Sequence, residues 1–304
     1  MEESYFMNQQ IRTFLNHHLG VVDFQYESIK KGGSDRSFYR VLLPDGKTFI
    51  FMNYGNEVEE NAHWAEINRF MSNMNVPVPL IIAFDYRQRF LLIEDLGSAD
   101  LYSQSSFPWH KRRYIYLRAL SEIHRLHGIP IEDVPADLKL AKSYDRSLYR
   151  WEHNYFMENF IEAVCRDFQS QNIMIKNDRP VFIDFQGMRH GNLFYDLGSL
   201  ICDPYVSFSP DERHELIAFY YRIMQPNYSL DQFTDFFWEG AAQRLMQALG
   251  AFGFLGLKKN KPDFLKHIPN GVKNLVTATT NAGTLPALKE MAVSCMNKLQ
   301  SKPL

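Results

Sequence analysis

Cysteine is scarce in this chain: Cys165, Cys202 and Cys295 are the only three among 304 residues, and no two share a metal-ligand spacing. A disulfide framework and a thiolate zinc site are therefore excluded, and a reduced cytoplasm is the simplest setting. No apolar run reaches the length that spans a bilayer, so no membrane helix is expected. The opening MEESYFMNQQIRTFLNHHLG has no basic start followed by a long apolar middle and reads as a short amphipathic helix, not a secretion signal. Charge of either sign is not in excess. A net charge of −2 and an isoelectric point near 6.6 give no reason to expect a nucleic-acid or membrane partner. Repeats, low-complexity tracts and charge blocks are absent from the last third. What remains is ample core material: 45% hydrophobic and 14% aromatic residues, enough for one large domain or two lobes.

The chain is organised around residues 165–184, CRDFQSQNIMIKNDRPVFID. Two apolar triplets, Ile173 to Ile175 and Val181 to Ile183, flank a polar turn from Lys176 to Pro180 and predict a hairpin. Symmetric closure sets Ile175 opposite Val181, Ile173 opposite Ile183 and Asn172 opposite Asp184, with side chains leaving one face. An amide oxygen and a carboxylate brought together in this way, completed by water and phosphate oxygens, suit Mg²⁺ better than zinc. Asp167 precedes Asn172 by five positions. An Asp, four residues, an Asn, and an Asp at the end of the following hairpin is the layout of a protein kinase: base, metal ligand, metal ligand. The competing reading is local: Asp167 and Asn172 satisfy backbone groups in a turn, and Asp184 ends a strand in solvent.

Before this stretch the patterning is β-rich. Strands are expected at Ser37 to Leu43 and Thr48 to Tyr54, across a Pro44-Asp45-Gly46-Lys47 turn. The Gly33, Ser34, Asp35, Arg36 loop, with Arg40 nearby, either turns its N–H groups toward phosphate oxygens or is an ordinary hairpin tip. Glu59 to Asn75 reads as a helix ended by the Val-Pro-Val-Pro at 76–79. Two more strands follow, Leu80 to Phe84 and Phe90 to Glu94, and Glu94-Asp95-Leu96-Gly97 is the linker. Beyond it the pattern is helical: Pro108 to Leu126, Asp145 to Phe160, Tyr195 to Asp203 with Asp196 able to cap its start, and everything after Pro210. His124 and His127, near the end of the first of these, read as structural. The fold class is α+β with two lobes, residues 1–96 small and β-rich and residues 97–304 larger and helical, and a ligand crevice between them.

Together these residues resemble the aminoglycoside phosphotransferase and choline kinase group, whose fold is that of the protein kinases. Within it the chain is most similar to bacterial cell-wall sugar kinases that phosphorylate the anomeric hydroxyl of N-acetylmuramate and N-acetylglucosamine. The matching segments are SDRSFYRV (34–41), FIFMNYGNE (49–57), VPVP (76–79), FLLIEDLG (90–97), RDFQSQNIM (166–174), FIDFQGM (182–188), YDLGSLICDPY (195–205) and QRLMQALGAFGFLG (243–256). The resemblance implies ATP and Mg²⁺ as cofactors and a small sugar as partner. It makes Asp167 the base, Asn172 and Asp184 the metal ligands, Gly33 to Arg36 the phosphate-covering loop, and Glu94, Asp95 and Leu96 the hinge for adenine. Arg166 and Asp196 become supports of the catalytic loop. Glu66 takes the place of the helix glutamate that elsewhere pairs with a strand lysine, and Gln186, Asp203 and Tyr205 are candidate sugar contacts.

Three departures accompany the resemblance. Met52 stands where most kinases carry the strand lysine, as it tends to in the sugar-kinase branch, leaving Arg36 or Arg40 to supply the positive charge. Cys165 replaces the usual histidine before Arg166, and only Ile161 to Val164 separate the Glu-Asn-Phe at 158–160 from the catalytic loop, where relatives usually have another helix. An antibiotic or other small-alcohol kinase and a nucleotide-binding pseudokinase are the alternatives. From Tyr205 to the end, 8 acidic residues against 11 lysines and arginines count against a polycationic antibiotic.

Overall fold

A computed structural model of the chain describes residues 2–29, 36–55, 58–143 and 169–301. Helix α1 (Glu2–Leu19) leads into strands β1 (Gln25–Ile29), β2 (Ser37–Leu42) and β3 (Thr48–Asn53). A 3₁₀ turn (Glu59–His63) and helix α2 (Trp64–Asn73) come next, then strands β4 (Ile81–Asp85) and β5 (Phe90–Glu94). The five strands form one antiparallel sheet in the order β1-β2-β3-β5-β4. The sequence suggests one helix from Glu59 to Asn75; the structure winds its first turn more tightly before α2 begins.

The central strands explain why their sequences run apolar without alternation. Phe51, Phe90 and Leu92 face α1, packing with Ile11, Phe14 and Leu15, while Met52, Leu91 and Ile93 face the other way and meet Trp64 and Ala65. A sheet covered on both faces needs apolar residues at every position, not every second one. The α1 side is an aromatic stack, with Phe51 5.0 Å and Phe14 5.5 Å from the Phe90 ring, near edge-to-face. Met52, where a lysine would project toward a nucleotide, is instead buried in this core.

Past the linker come α3 (Trp109–His127), the hairpin β6 (Ile173–Lys176) and β7 (Arg179–Phe182), and helices α4 (Leu193–Ile201), α5 (Pro210–Met224), α6 (Leu230–Gly253), α7 (Ile268–Ala282) and α8 (Pro286–Ser301). The expected helix at 145–160 lies outside the described residues. Ser209 and Ser229 start α5 and α6 with reciprocal capping boxes to Glu212 and Gln232, satisfying N–H groups that a helix end leaves bare. One large apolar core joins α3 to α7 and takes in Ile67, Phe70 and Met71 of α2. This is the two-lobe α+β arrangement of the protein kinases. No helix among the described residues is long and apolar enough to cross a membrane.

Helix α4, which follows the candidate site, is held against α6 at backbone distance. A Cβ added to Gly198 falls 2.6 Å from the Ala241 Cα, and one added to Gly240 falls 2.6 Å from the Phe194 Cβ. Alanine at 198 gains about 1 kcal/mol of helix propensity, but overpacking costs about 1–3 kcal/mol or more when backbone cannot yield. Gly198→Ala is therefore expected to lower stability by about 1–2 kcal/mol, read as an earlier urea midpoint. An unchanged midpoint would show that the two helices separate freely.

Candidate active site

The hairpin closes one residue away from the symmetric register that the sequence suggests. Ile173 pairs with Phe182, Met174 with Val181, Ile175 with Pro180 and Lys176 with Arg179. The reason is the turn: Asn177 and Asp178 both take positive φ, 51° and 56°, making a two-residue loop of the primed type that suits strand twist. In this register Asn172 lies opposite Ile183, whose N–H donates to the Asn172 carbonyl at 3.0 Å. Asp184 nevertheless reaches Asn172. Its own φ of 63° ends the strand in a left-handed bend, and its Oδ2 accepts from Asn172 Nδ2 at 3.5 Å. Positive φ is uncommon for a non-glycine residue, and here it sits at the residue that carries the carboxylate.

Asp184 has two further donors. Arg36, the residue before β2, places its guanidinium 2.5 Å from Oδ1, and Gln186 Nε2 donates to the same oxygen at 2.9 Å. Of the two arginines that the sequence offers as replacement for the strand lysine, Arg36 is thus the one brought to the carboxylate. Arg40 is committed elsewhere, to Asp95 at 2.6 and 3.2 Å and to the Gly97 carbonyl at 3.3 Å. Among the described residues no group of three or more His, Cys, Asp or Glu side chains is arranged to hold a metal. Asn172 and Asp184 are an oxygen pair, which fits a hard cation whose other ligands are water and phosphate.

On the linker side the hairpin carries an apolar floor. Met174 and Val181, directly opposed, meet Leu96 with Ile183 alongside. Around it the linker is tied down at Glu94 and Asp95. Glu94 gives its N–H to the Leu80 carbonyl, its carboxylate accepts from the Leu80 N–H at 2.9 Å, and Lys176 forms an ion pair with it. Asp95 accepts from Arg40 and from the Gly97 N–H. Burial pushes the Asp95 carboxyl up, but these donors outweigh it and hold it below the ordinary carboxylate range. Leu96 makes no backbone–backbone hydrogen bond outside helices and strands with the described residues.

Other sequence expectations are relocated. Glu66 has no partner on β3: it accepts from the Tyr86 hydroxyl at 2.8 Å and lies 3.2 Å from His63 Nδ1, because α2 turns Trp64, Ala65, Ile67 and Asn68 inward and Glu66 to its half-exposed flank. The helix is joined to the Asp184 segment by other means, a Trp64–Phe185 ring contact at 4.9 Å and an Arg189–Glu60 ion pair at 3.3 Å. Asn192, not Asp196, caps α4 through the Phe194 N–H. Asp196 lies 3.1 Å from His127 Nε2, whose other ring nitrogen meets the Tyr220 hydroxyl at 2.8 Å.

Asp203, expected among the sugar contacts, is fully buried with both oxygens on backbone: Ser170 N–H at 2.7 Å and Tyr205 N–H at 2.8 Å. Burial pushes its carboxyl up against these donors and Arg244. It braces Ser170, just ahead of β6, and Tyr205 through their backbone N–H groups instead of facing a ligand. Tyr205, half-buried, sits among Tyr102, Phe252 and His267, and burial lowers the His267 imidazole to about 4. Gly33, Ser34, Asp35, Arg166 and Asp167 lie outside the described residues. Lys176, Arg189 and His127 are site-framing residues that the sequence reading did not select, since their partners come from distant elements and no local pattern signals them.

The described arrangement, a five-stranded sheet, a short linker and an Asn–Asp pair on a hairpin at the head of a helical lobe, is that of the protein-kinase-like fold. A sequence model of the phosphotransferase enzyme family matches residues 164–229. The chain is similar to the N-acetylmuramate/N-acetylglucosamine kinase of Pseudomonas aeruginosa, 24% identical with 86% of each chain covered. It is likewise similar to the enzyme of that name from Neisseria meningitidis, 22% identical with 89% of this chain and 90% of the other covered. Among solved structures, a choline kinase from Cryptosporidium parvum superposes with a TM-score of 0.61 at 13% identity, covering 92% of this chain and 98% of that one. The aminoglycoside-3'-phosphotransferase of type VIII gives 0.59 at 13% identity, covering 80% and 98%. The resemblance to the aminoglycoside phosphotransferase and choline kinase group is thus carried by family, relatives and fold alike.

Proposed function

We propose that the protein is an ATP-dependent kinase that phosphorylates the anomeric hydroxyl of a cell-wall amino sugar, N-acetylmuramate or N-acetylglucosamine, in the recycling of peptidoglycan in the cytoplasm. The observation that carries this reading is the convergence of Asn172 and Asp184 beside Arg36, next to the apolar floor under the linker. The similarity to N-acetylmuramate/N-acetylglucosamine kinases over most of the chain supports the choice of acceptor.

Each part has a physical role. The Leu96–Met174–Val181 floor suits a purine face, and the Leu96 backbone its polar edge. Asn172 and Asp184 would hold Mg²⁺, which when bound would supply charge neutralisation to the transferring phosphoryl group. Arg36, at the same carboxylate and directly after Asp35 in the chain, supplies the cation that Met52 does not. The sugar's anomeric oxygen forms the new bond to the γ-phosphorus as the bond to the ADP oxygen breaks. Asp167 takes the hydroxyl proton and passes it to solvent. Transfer of this kind needs alignment and charge more than covalent chemistry, so few residues suffice. The test is ADP release with magnesium-ATP and, separately, N-acetylmuramate, N-acetylglucosamine, choline and kanamycin. Release with either sugar is expected; release only with choline or kanamycin would replace the acceptor assignment.

A further inference from the structure

Helix α6 does not run directly into α7. It loosens into a π turn (Phe254–Lys258), and a 3₁₀ turn (Pro262–His267) leads into the next helix; residues 257–260 between them are exposed. The underside of this link is fixed. Phe264 stacks on Phe252 of α6 at 6.3 Å, and Gly256 lies so close to Leu265 that a Cβ there would collide. The Lys259 and Lys261 N–H groups donate to the Phe254 and Leu255 carbonyls at 2.9 and 2.8 Å. The outer side differs in kind. Leu257 is 69% exposed beside a run of lysines. Residues 257–273 hold five of them, Lys258, Lys259, Lys261, Lys266 and Lys273, against a single acidic residue, Asp263. All but Lys261 are exposed, and Asp263 is itself paired with Lys266 at 3.7 Å. The whole-chain charge of −2, which gives no reason to expect a membrane partner, averages over this local excess of four.

The composition of the segment restricts what it can meet. It contains no arginine, and its one Phe, Phe264, is stacked on the lobe, so the guanidinium forks and open aromatic faces that suit nucleic acid are missing. Lysine is a compact, hydrated point charge on a flexible stem, and a layer of anionic headgroups satisfies it without fixed geometry. An exposed leucine beside such charges gains by entering the interface while the lysine stems reach back to the headgroups. We propose that the 257–273 segment is a docking surface for an anionic lipid bilayer, with Leu257 entering the headgroup layer and the lysines lying over it. One patch of this size gives reversible, salt-sensitive attachment. None of these lysines belongs to the candidate active site, so the surface stands or falls apart from the kinase reading.

Co-sedimentation of the full chain with vesicles of phosphatidylglycerol and phosphatidylcholine in equal parts, against phosphatidylcholine alone, tests the surface. Sedimentation with the anionic vesicles only is expected, and it should be lost at about 0.5 M salt, where screening shortens the reach of charge to a few ångström. Each lysine near such a surface contributes roughly a factor of five in affinity. The double variant Lys258→Gln, Lys259→Gln should therefore bind roughly 25-fold more weakly. Asp263→Asn raises the local excess and should bind about fivefold more tightly, a gain that mere damage to the fold would not produce. Leu257→Trp adds a reporter whose emission should move to shorter wavelength on the anionic vesicles alone. Equal sedimentation with both vesicle types, none with either, or affinity unmoved in the lysine and Asp263 variants would overturn the surface. So would retention on a soluble polyanion such as heparin without retention on vesicles.

Discussion

Asp184→Ala is expected to abolish magnesium-dependent turnover. The carboxylate lies where Asn172, Arg36 and Gln186 converge, and it is the one anionic ligand of the oxygen pair. A metal that neutralises the transferring phosphoryl group supplies several kcal/mol. Losing about 4 kcal/mol of that corresponds to roughly a thousandfold lower rate, at 1.36 kcal/mol per factor of ten. The measurement is steady-state turnover over a magnesium series, with manganese binding to the ATP-loaded protein followed by electron paramagnetic resonance. Turnover near the unaltered rate, or manganese held as tightly as before, would contradict the ligand role. The variant should remain folded, because Asp184 lies outside the apolar clusters on which the lobes are built.

Asp167→Asn is the second large effect. Asparagine keeps the size and hydrogen-bonding reach of the side chain but cannot take a proton. A positioned general base contributes roughly 10² to 10⁴ in rate, so kcat should fall by that factor. The KM values for ATP and sugar should move far less, since the substitution preserves the size and reach of the side chain. Unchanged kcat would remove Asp167 from the chemistry. A fall confined to sugar KM would make it a binding residue instead.

The sequence makes the arrangement legible where local pattern and tertiary structure agree. The two strand pairs of the sheet, the Val-Pro stop and the presence of the hairpin are read from apolar runs and turn residues. The register does not follow from counting symmetric triplets, although Asn177-Asp178 held the clue: both residue types tolerate the left-handed region that a two-residue primed turn demands. Asp184 then reaches Asn172 through its own left-handed bend, which no pattern of hydrophobicity records. Glu66 shows another limit. Its spacing from the proline run matches the kinase helix, but which flank of α2 faces β3 is decided by Trp64 and Ala65 packing on Met52. Likewise Asp203 looks like a ligand contact in sequence, and only the fold reveals that backbone N–H groups consume it.

The central claim is that a phosphoryl group passes to an anomeric hydroxyl, and phosphorus NMR of the reaction mixture tests it most directly. With magnesium-ATP and N-acetylmuramate or N-acetylglucosamine, the account predicts a new resonance split by a single proton, the signature of a sugar 1-phosphate, and its absence with Asp167→Asn. ATP bound with no new phosphorus signal from either sugar, or a signal split by two protons as for a phosphate on a primary alcohol, would contradict it.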